Sequence, residues 1–373
     1  MIEIKEVCND RQLKQFIKFP DILYKGNPYR VPPLHSSEYH VLSKKVNPAF
    51  EYCEATYWLA FKDGKMAGRI AGMINHKSNE IHHQKGARFG WVDFIDDREV
   101  SSALFHTVEE WAVRKGMNHL RGPLGFTDMD MEGMLVEGFN EMSTQSVWYN
   151  YPYYPVHLEA MGYVKEVDWI HFEIKVPEKI PDKVLRVSNL VTERYGMRVL
   201  KVRKAKELLP YAPKMFQTLN EAYANLYEFV PLNDKQIEYY TREYFSFINP
   251  DFVCFVLDKD DEVAGFGISL YSLSKALIKA KGKLFPFGFI HILKALHKND
   301  TVDLLLLAVK PKYQNKGVPA LFFAEIMKAC IRHGVKKAIT AYILEHNVNP
   351  HILFDDYEHR QHLRRRSYGK SLV

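Results

Sequence analysis

One succession of patterns occurs twice along the 373 residues, and a chain that repeats a unit of this size has to build two similar cores, or one core from two similar halves. In the first copy, the apolar run 57–61, a Lys62-Asp63-Gly64 turn and the run 66–74 read as a β-hairpin. In the second, runs at 252–257 and 263–270 around an acidic turn repeat it, and Ala-Gly recurs near the start of both second strands, at Gly68 and Gly265. Each hairpin is followed by another strand, an amphipathic helix and a further strand. The first helix is expected over 99–115, with Leu104, Val108, Trp111 and Ala112 on one face and Gly116 as its stop. The second is expected over 319–333, with Phe322, Phe323, Ile326, Met327 and Cys330 on one face and Gly334 as its stop. The second copy is the longer, and the surplus fits an insertion in 272–299 that reads as helical around a Phe285-Pro286-Phe287-Gly288-Phe289 turn. The expected fold class is α+β, with a mixed, mostly antiparallel sheet flanked by helices, made twice. Pro177, Pro181 and Gly196 mark a break, which divides the chain into 1–178, a linker helix in 179–196, and 197–373.

Composition narrows the function classes. At 47% hydrophobic and 26% charged the chain is ordinary globular material. The longest strongly apolar stretch, Leu304 to Val309, is far short of the roughly 20 residues of a spanning helix. The four cysteines lack the paired spacing of a zinc or redox site, and His76, His82 and His83 have no carboxylate or thiol at ligand spacing. The expectation is a cytoplasmic protein with reduced thiols, no metal and no membrane partner. The net charge of +6 is split into −4 over residues 1–180 and +10 over 181–373, so the second half is the one suited to a polyanion. Its densest run, Arg364-Arg365-Arg366, reads either as part of such a surface or as a solvated strand end.

The most specific local signal is the segment from Leu306 to Ala320, an apolar strand, a polar turn with one glycine, and the start of an apolar helix. A strand feeding a helix through such a turn leaves several backbone N–H groups pointing outward, which makes an anion site suited to a pyrophosphate. Gly317 lets the backbone approach the phosphates, Lys312 and Lys316 add charge, and Pro319 fits the first helical position. In the first copy the same place, 90–99, offers carboxylates instead.

Val309-x-Pro311-x-Tyr313 followed by Gln314-x-x-Gly317-x-Pro319 resembles the acetyl-CoA loop of the GNAT acyltransferase superfamily, with proline where that pattern has Gly or Ala. The whole chain resembles a family of tandem-GNAT acetyltransferases, through Tyr24-x-x-Asn27-Pro28, Gly68-Arg69-Ile70-Ala71, Arg121-Gly122-Pro123, Asn150-x-Pro152-Tyr153-Tyr154, Phe229-Val230-Pro231 and Ile343-Leu344-Glu345-x-Asn347. The resemblance implies two tandem GNAT-like domains, of which the first keeps the fold without the pyrophosphate loop. It implies that acetyl-CoA or another acyl-CoA binds through Leu307, Val309, Gln314, Asn315, Lys316, Gly317, Val318 and Asn347, with the strand N–H groups of Leu307 and Val309 facing the thioester. It further implies direct transfer to a primary amine, with Glu345 as general base and Tyr357, on a helix expected over 350–360, as the acid that protonates the thiolate. Glu345 also reads as a capping or salt-bridging carboxylate, and Tyr357 as a core tyrosine.

For the acceptor, Arg121 with Asp128, Asp130 and Glu132 combines a cation with three carboxylates near a Gly-Pro turn, a recognition patch for a cationic amine that Tyr153 and its neighbours Tyr149, Tyr151 and Tyr154 would wall. The alternative is a solvated acidic loop beside a packing cluster. The inserted 273–298 segment is placed either as a lid over a long acyl chain or against the sheet. The expected partner is a small-molecule amine, with nucleic acid unfavoured and a homodimer open. Two other classes stay in view: a non-catalytic acyl-CoA-binding protein, and an aminoacyl-tRNA-dependent transferase.

Overall fold

The computed structural model describes residues 1–245, 248–346 and 354–372. In chain order the first elements are β1 (Ile2–Glu6), α1 (Asp10–Leu23), α2 (His35–Leu42), β2 (Cys53–Lys62), β3 (Lys65–Asn75), α3 (His76–Ile81), β4 (Gly86–Phe94) and α4 (Arg98–Arg114). Then come β5 (His119–Gly122), β6 (Met134–Glu137), α5 (Tyr153–Ala160), β7 (Val164–Lys175) and α6 (Asp182–Tyr195). They are followed by β8 (Arg198–Val199), α7 (Ala212–Tyr223), α8 (Asp234–Phe245), β9 (Val253–Leu257), β10 (Val263–Tyr271), α9 (Ser274–Ala280) and α10 (Gly288–His297). The last are β11 (Thr301–Val309), α11 (Pro319–Arg332), β12 (Lys337–Thr340), β13 (Ile343–Leu344) and β14 (His359–Ser371).

The chain divides into two compact units, one of residues 1–170, 273–293 and 363–373, the other of 171–272 and 294–362. In the first, strands run β1-β2-β3-β4-β5 and end on the 368–371 part of β14. All neighbours are antiparallel except β4 and β5. In the second, β8-β9-β10-β11-β12 end on the 173–175 part of β7, again antiparallel except for β11 and β12. The two sheets therefore share one pattern, and each is completed by a strand from the other half of the chain. This is the tandem α+β fold with mixed sheets that the repeat implied.

The repeated Ala-Gly has a packing reason. A Cβ on Gly68 would lie 2.6 Å from Leu104 Cδ1 of α4, and one on Gly265 would lie 2.9 Å from Phe322 Cζ of α11. Each central hairpin gives up a side chain so that the following helix can lie close across it. In the first unit, alternation along β2 puts Trp58 and Ala60 in the core under α4, and Tyr57 and Leu59 in the core under α1 with Phe16 and Ile17.

The inserted segment is two helices, α9 and α10, joined through the expected Phe285–Phe289 turn. Of the helix expected over 350–360, residues 350–353 lie outside the described residues and Phe354 is helical; the chain then turns at 355–357, and β14 starts at His359. Arg364, Arg365 and Arg366 are neither a solvated end nor a polyanion surface. Arg365 is fully buried and donates to the carbonyls of Glu132 (3.0 Å) and Gly133 (2.6 Å), while Arg364 and Arg366 both bind the buried Asp168 at 2.8–3.0 Å.

Asp168 and Asp303 are buried carboxylates with opposite energetics. Burial pushes the Asp168 carboxyl up, but hydrogen bonds from Arg366, Arg364 and Lys165 outweigh it and hold the group below its ordinary range. Its stabilising effect is present above the unfolded carboxylate pKa and fades as pH falls through the lower folded value. Asp168→Asn, which takes the counter-charge from Arg366 and leaves Arg364 with Glu137 alone (3.2 Å), is expected to lower unfolding free energy by about 3 kcal/mol at pH 7, read from the urea midpoint. Asp303, on β11, has no such cation, and burial lifts its carboxyl to about 7, with the Ser272 hydroxyl offsetting only part. The folded state holds this proton after the unfolded state has lost it, so Asp303 makes the fold less stable as pH rises from about 4 to 7. Asp303→Asn removes that penalty, and its stability relative to wild type should rise by about 3 kcal/mol between pH 5 and pH 8. Parallel pH profiles for the two proteins would contradict this.

Candidate functional site

The site of the second unit begins where β11 loses a neighbour. Its pairing with β10 slips at Leu305, where one extra residue is accommodated between Ile268↔Leu306 and Ser269↔Leu304. Its parallel pairing with β12 ends at Leu304↔Thr340, apart from the Ala341 N–H donating to the Leu304 carbonyl at 2.8 Å. Beyond that point, among the described residues, no strand pairs with the edge of β11 away from β10. The Tyr223 hydroxyl of α7 donates to the Leu307 carbonyl (3.1 Å), and the Gln314 amide donates to the Val309 carbonyl (3.2 Å). Since the N–H and C=O of one strand residue point the same way, the N–H groups of Leu307 and Val309 face this open edge. Leu304, Leu305, Leu306 and Leu307 are all partly exposed, which is unusual for an apolar run in a central strand.

After Val309 the chain makes a single 3-10 turn at Pro311–Tyr313 and reaches α11 through residues 314–318. Asn315 has φ of 60° and Gly317 φ of 77°, left-handed positions separated by one residue. Such alternation turns successive N–H groups toward one concavity. Among the described residues no backbone donor of Asn315, Lys316, Gly317 or Val318 has a protein acceptor, whereas Ala320 and Leu321 N–H are already bound by the carbonyls of Gly317 and Val318. Gly317 is required for its backbone conformation and because a Cβ would come within 3.0 Å of Val187 on α6. The helix expected as a linker thus lies in the second unit, against this loop. The loop is pinned by the Tyr313 hydroxyl, which donates to the buried Asp258 (2.8 Å). Lys312 is turned to Asp258 (3.5 Å) as well. Lys316 is exposed, with its ammonium over the rings of Tyr195 and Tyr313, both at 5.5 Å. Proline at 319 is no obstacle, since it occupies the first position of α11.

Glu345 follows β13 with its side chain 16% exposed, near His346 (3.4 Å). Tyr357 is buried with its ring against Phe323 of α11 (6.0 Å between centroids), and its hydroxyl has no hydrogen-bond partner among the described residues. Burial pushes that hydroxyl well above its ordinary pKa, so it carries its proton at neutral pH. Asn347 lies outside the described residues. Asp303 was not singled out in the sequence. A buried carboxylate in an apolar strand is a legible signal, but it lies where β11 still pairs on both sides.

The first unit repeats the geometry and closes it. β4 carries an extra residue at Trp91, with φ of 42°, and its pairing with β5 ends at Arg88↔Arg121. At Phe94, which pairs with Gly68 as Val309 pairs with Gly265, the N–H donates to the Tyr154 hydroxyl (3.0 Å) and the carbonyl accepts from the Tyr153 hydroxyl (2.6 Å). Tyr154 is held in turn by Tyr24 (2.9 Å), which donates to Asp93 (2.8 Å), the partner of Arg69 (2.7 Å). The tyrosines expected as a wall are therefore spent on the main chain, Tyr149 included, whose hydroxyl donates to the Phe139 carbonyl.

The residues expected to form an acceptor patch have the following partners. Arg121 donates to Gln84 (2.9 Å) and lies near Glu166 (3.5 Å). Asp130 accepts the Thr127 N–H (3.0 Å), and burial lifts its carboxyl to about 6. The Glu132 carbonyl is bound by Arg365, and Asp128 is partly buried. Among the described residues no group of three or more His, Cys, Asp or Glu side chains is placed to hold a metal, and no helix is long and apolar enough to cross a membrane.

Residues 214–355 match the acetyltransferase (GNAT) family. Protein YghO of Escherichia coli is 26% identical over 99% of this chain and 95% of its own length. A protein of Caulobacter vibrioides named bacterial ceramide synthase is 25% identical over 93% of this chain and 91% of its own. Among solved structures, a tandem GNAT protein from the clavulanic acid biosynthesis pathway superposes with a TM-score of 0.58 at 12% identity, covering 100% of this chain and 99% of its own. The loop, the open strand edge and these likenesses agree that the chain is a tandem GNAT-fold protein whose second half carries the acetyltransferase (GNAT) family domain.

Proposed function

We propose that this protein is an acyl-CoA-dependent N-acyltransferase that uses one acyl-CoA per chain, in the second unit, and acylates the primary amine of a long-chain acceptor. The observation that carries it is the contrast between the two strand edges: open at Leu307 and Val309 and continued by the unpaired donors of 315–318, closed at Phe94 by Tyr153 and Tyr154. In this reading the N–H groups of Asn315 to Val318 take the pyrophosphate with Lys316 beside them, and Leu307 and Val309 align the pantetheine arm and polarise the thioester carbonyl. Glu345 takes a proton from the acceptor ammonium, and Tyr357 supplies the proton the departing thiolate needs, as a new C–N bond replaces the C–S bond. Asn347 is kept in the reading as a pantetheine contact.

The part-exposed leucines 304–307 favour a fatty acyl group over acetyl, and so does the relative named for ceramide synthesis, since a ceramide is a fatty amide of a long-chain amino alcohol. Acetyl transfer to a small polar amine is the second reading, and the GNAT match supports it equally at the level of the loop.

Calorimetric titration of acetyl-CoA and palmitoyl-CoA should give one site per chain, with the longer thioester bound more tightly. Lys316→Glu, an exposed change that leaves the fold intact, should weaken both by roughly tenfold. Glu345→Gln should lower kcat for thiol release by about 100-fold or more with acyl-CoA affinity unchanged. Failure of either thioester to bind would overturn the proposal, and turnover of acetyl-CoA alone would select the second reading.

A further inference from the structure

The proposed chemistry makes no use of the α9–α10 hairpin, which has the most concentrated apolar surface of the described residues. Phe285 is 76% exposed, Phe287 68%, Leu293 53% and Ile290 50%, whereas large apolar side chains exposed elsewhere are scattered singly. Phe289, Ile290 and Leu293 fall on one face of α10, and the Phe285 ring lies 5.7 Å from that of Phe289. The hairpin is a folded structure. Ala276, Leu277 and Ala280 of α9 are buried, the His35 N–H donates to the Gly282 carbonyl (2.9 Å), and the Phe289 N–H to the Leu284 carbonyl (2.7 Å). A Cβ on Gly288 would strike the Lys283 carbonyl, so the turn closes only with glycine there.

The charge around these side chains has one sign. Lys275, Lys279, Lys281, Lys283, Lys294 and Lys298 are all exposed, and no carboxylate occurs between Glu262 and Asp300. Asp21, which reaches His35 behind the hairpin, is taken up by His35 (2.7 Å) and Arg30 (3.1 Å). Bulky apolar side chains at the tip of a cationic, acid-free hairpin complement a surface that offers both phosphate charge and hydrocarbon.

We propose that the α9–α10 hairpin seats this protein on an anionic lipid bilayer, with Phe285, Phe287, Ile290 and Leu293 entering at headgroup depth and the lysines on the phosphates. A ten-residue helix lies in such an interface and does not cross it. The sequence-based expectation of no membrane partner rested on the lack of a spanning stretch, a test that a surface-seated hairpin does not meet. The proposal needs no acyl transfer, so its failure would leave the catalytic reading standing.

Co-sedimentation of the full chain with vesicles tests it without any acyl-CoA. Binding is expected to vesicles containing phosphatidylglycerol, weaker to phosphatidylcholine alone, and reduced by added salt. The double variant Phe285→Ser/Phe287→Ser should retain its thermal midpoint and lose about tenfold or more in vesicle affinity. The triple variant Lys279→Ala/Lys281→Ala/Lys283→Ala should lose the preference for anionic over neutral vesicles. Absence of binding to either vesicle, or binding unchanged in both variants, would overturn the proposal. So would a dimer in light scattering that the double phenylalanine variant dissociates, because the patch would then be covered by a second copy of the chain.

Discussion

A strand that stops pairing halfway along its length has to place its remaining main-chain N–H and C=O groups, since burying them unpaired costs of the order of 1–3 kcal/mol each. Both units create this problem in the same strand, by an extra residue at Trp91 in β4 and at Leu305 in β11, followed by the end of the parallel pairing. The first unit solves it internally. Two tyrosines of α5 take the Phe94 groups, and a buried chain of Tyr24, Asp93 and Arg69 fixes one of them. In the second unit Tyr223 and Gln314 satisfy carbonyls only, and among the described residues the donor side has no protein acceptor. The two halves thus share one hydrogen-bonding problem, which the first settles among its described residues and the second does not.

Charge follows a similar division between internal and external use. The excess of cations in the second half of the sequence reads as one basic surface, yet its densest run is structural: Arg365 is sealed in the first unit, with Arg364 and Arg366 on Asp168. That run is therefore not available as a surface for a polyanion. The cations that do face solvent without carboxylates nearby in sequence are Lys316, beside the unpaired donors, and the lysines of α9 and α10. Their settings differ: Lys316 adjoins a concavity of N–H groups, and the hairpin lysines surround protruding phenylalanines.

Much of the fold was legible because its signals are local. The duplicated hairpin, the two helices ended by Gly116 and Gly334, and the strand–turn–helix at 306–320 depend on residues close in sequence, and so does the Ala-Gly pair that admits α4 and α11. What the sequence hid depends on long-range pairing. Nothing in the alternation of β14 says that its end completes the sheet of the first unit, or that the end of β7 completes that of the second. The same holds for Tyr153, whose polar aromatic character suits a ligand wall as well as it suits a cap on Phe94, and for Arg121 and Asp130, whose side chains bond to Gln84 and the Thr127 N–H. Asp303 and Asp168 show the limit most clearly. Both are aspartates inside strands, and only the placement of Arg364 and Arg366 against one of them makes its carboxyl a stabilising charge while the other holds its proton to about pH 7.

The partly exposed leucines of β11 and the hairpin of α9 and α10 bear on one question, how substrates reach such an enzyme. A fatty acyl-CoA and a long-chain amine are both amphiphiles, and both partition strongly into bilayers, since each buried methylene contributes about 0.8 kcal/mol. Their concentration in free solution is then small, and an enzyme that waits for them there is limited by supply. An enzyme seated on the surface meets them at their local concentration instead, an advantage of the same kind as tethering two binding partners together. The proposed long-chain chemistry thus gives a reason for exposed phenylalanines that a soluble acetyltransferase acting on a polar amine would lack, because there the same side chains bring only a liability to aggregate.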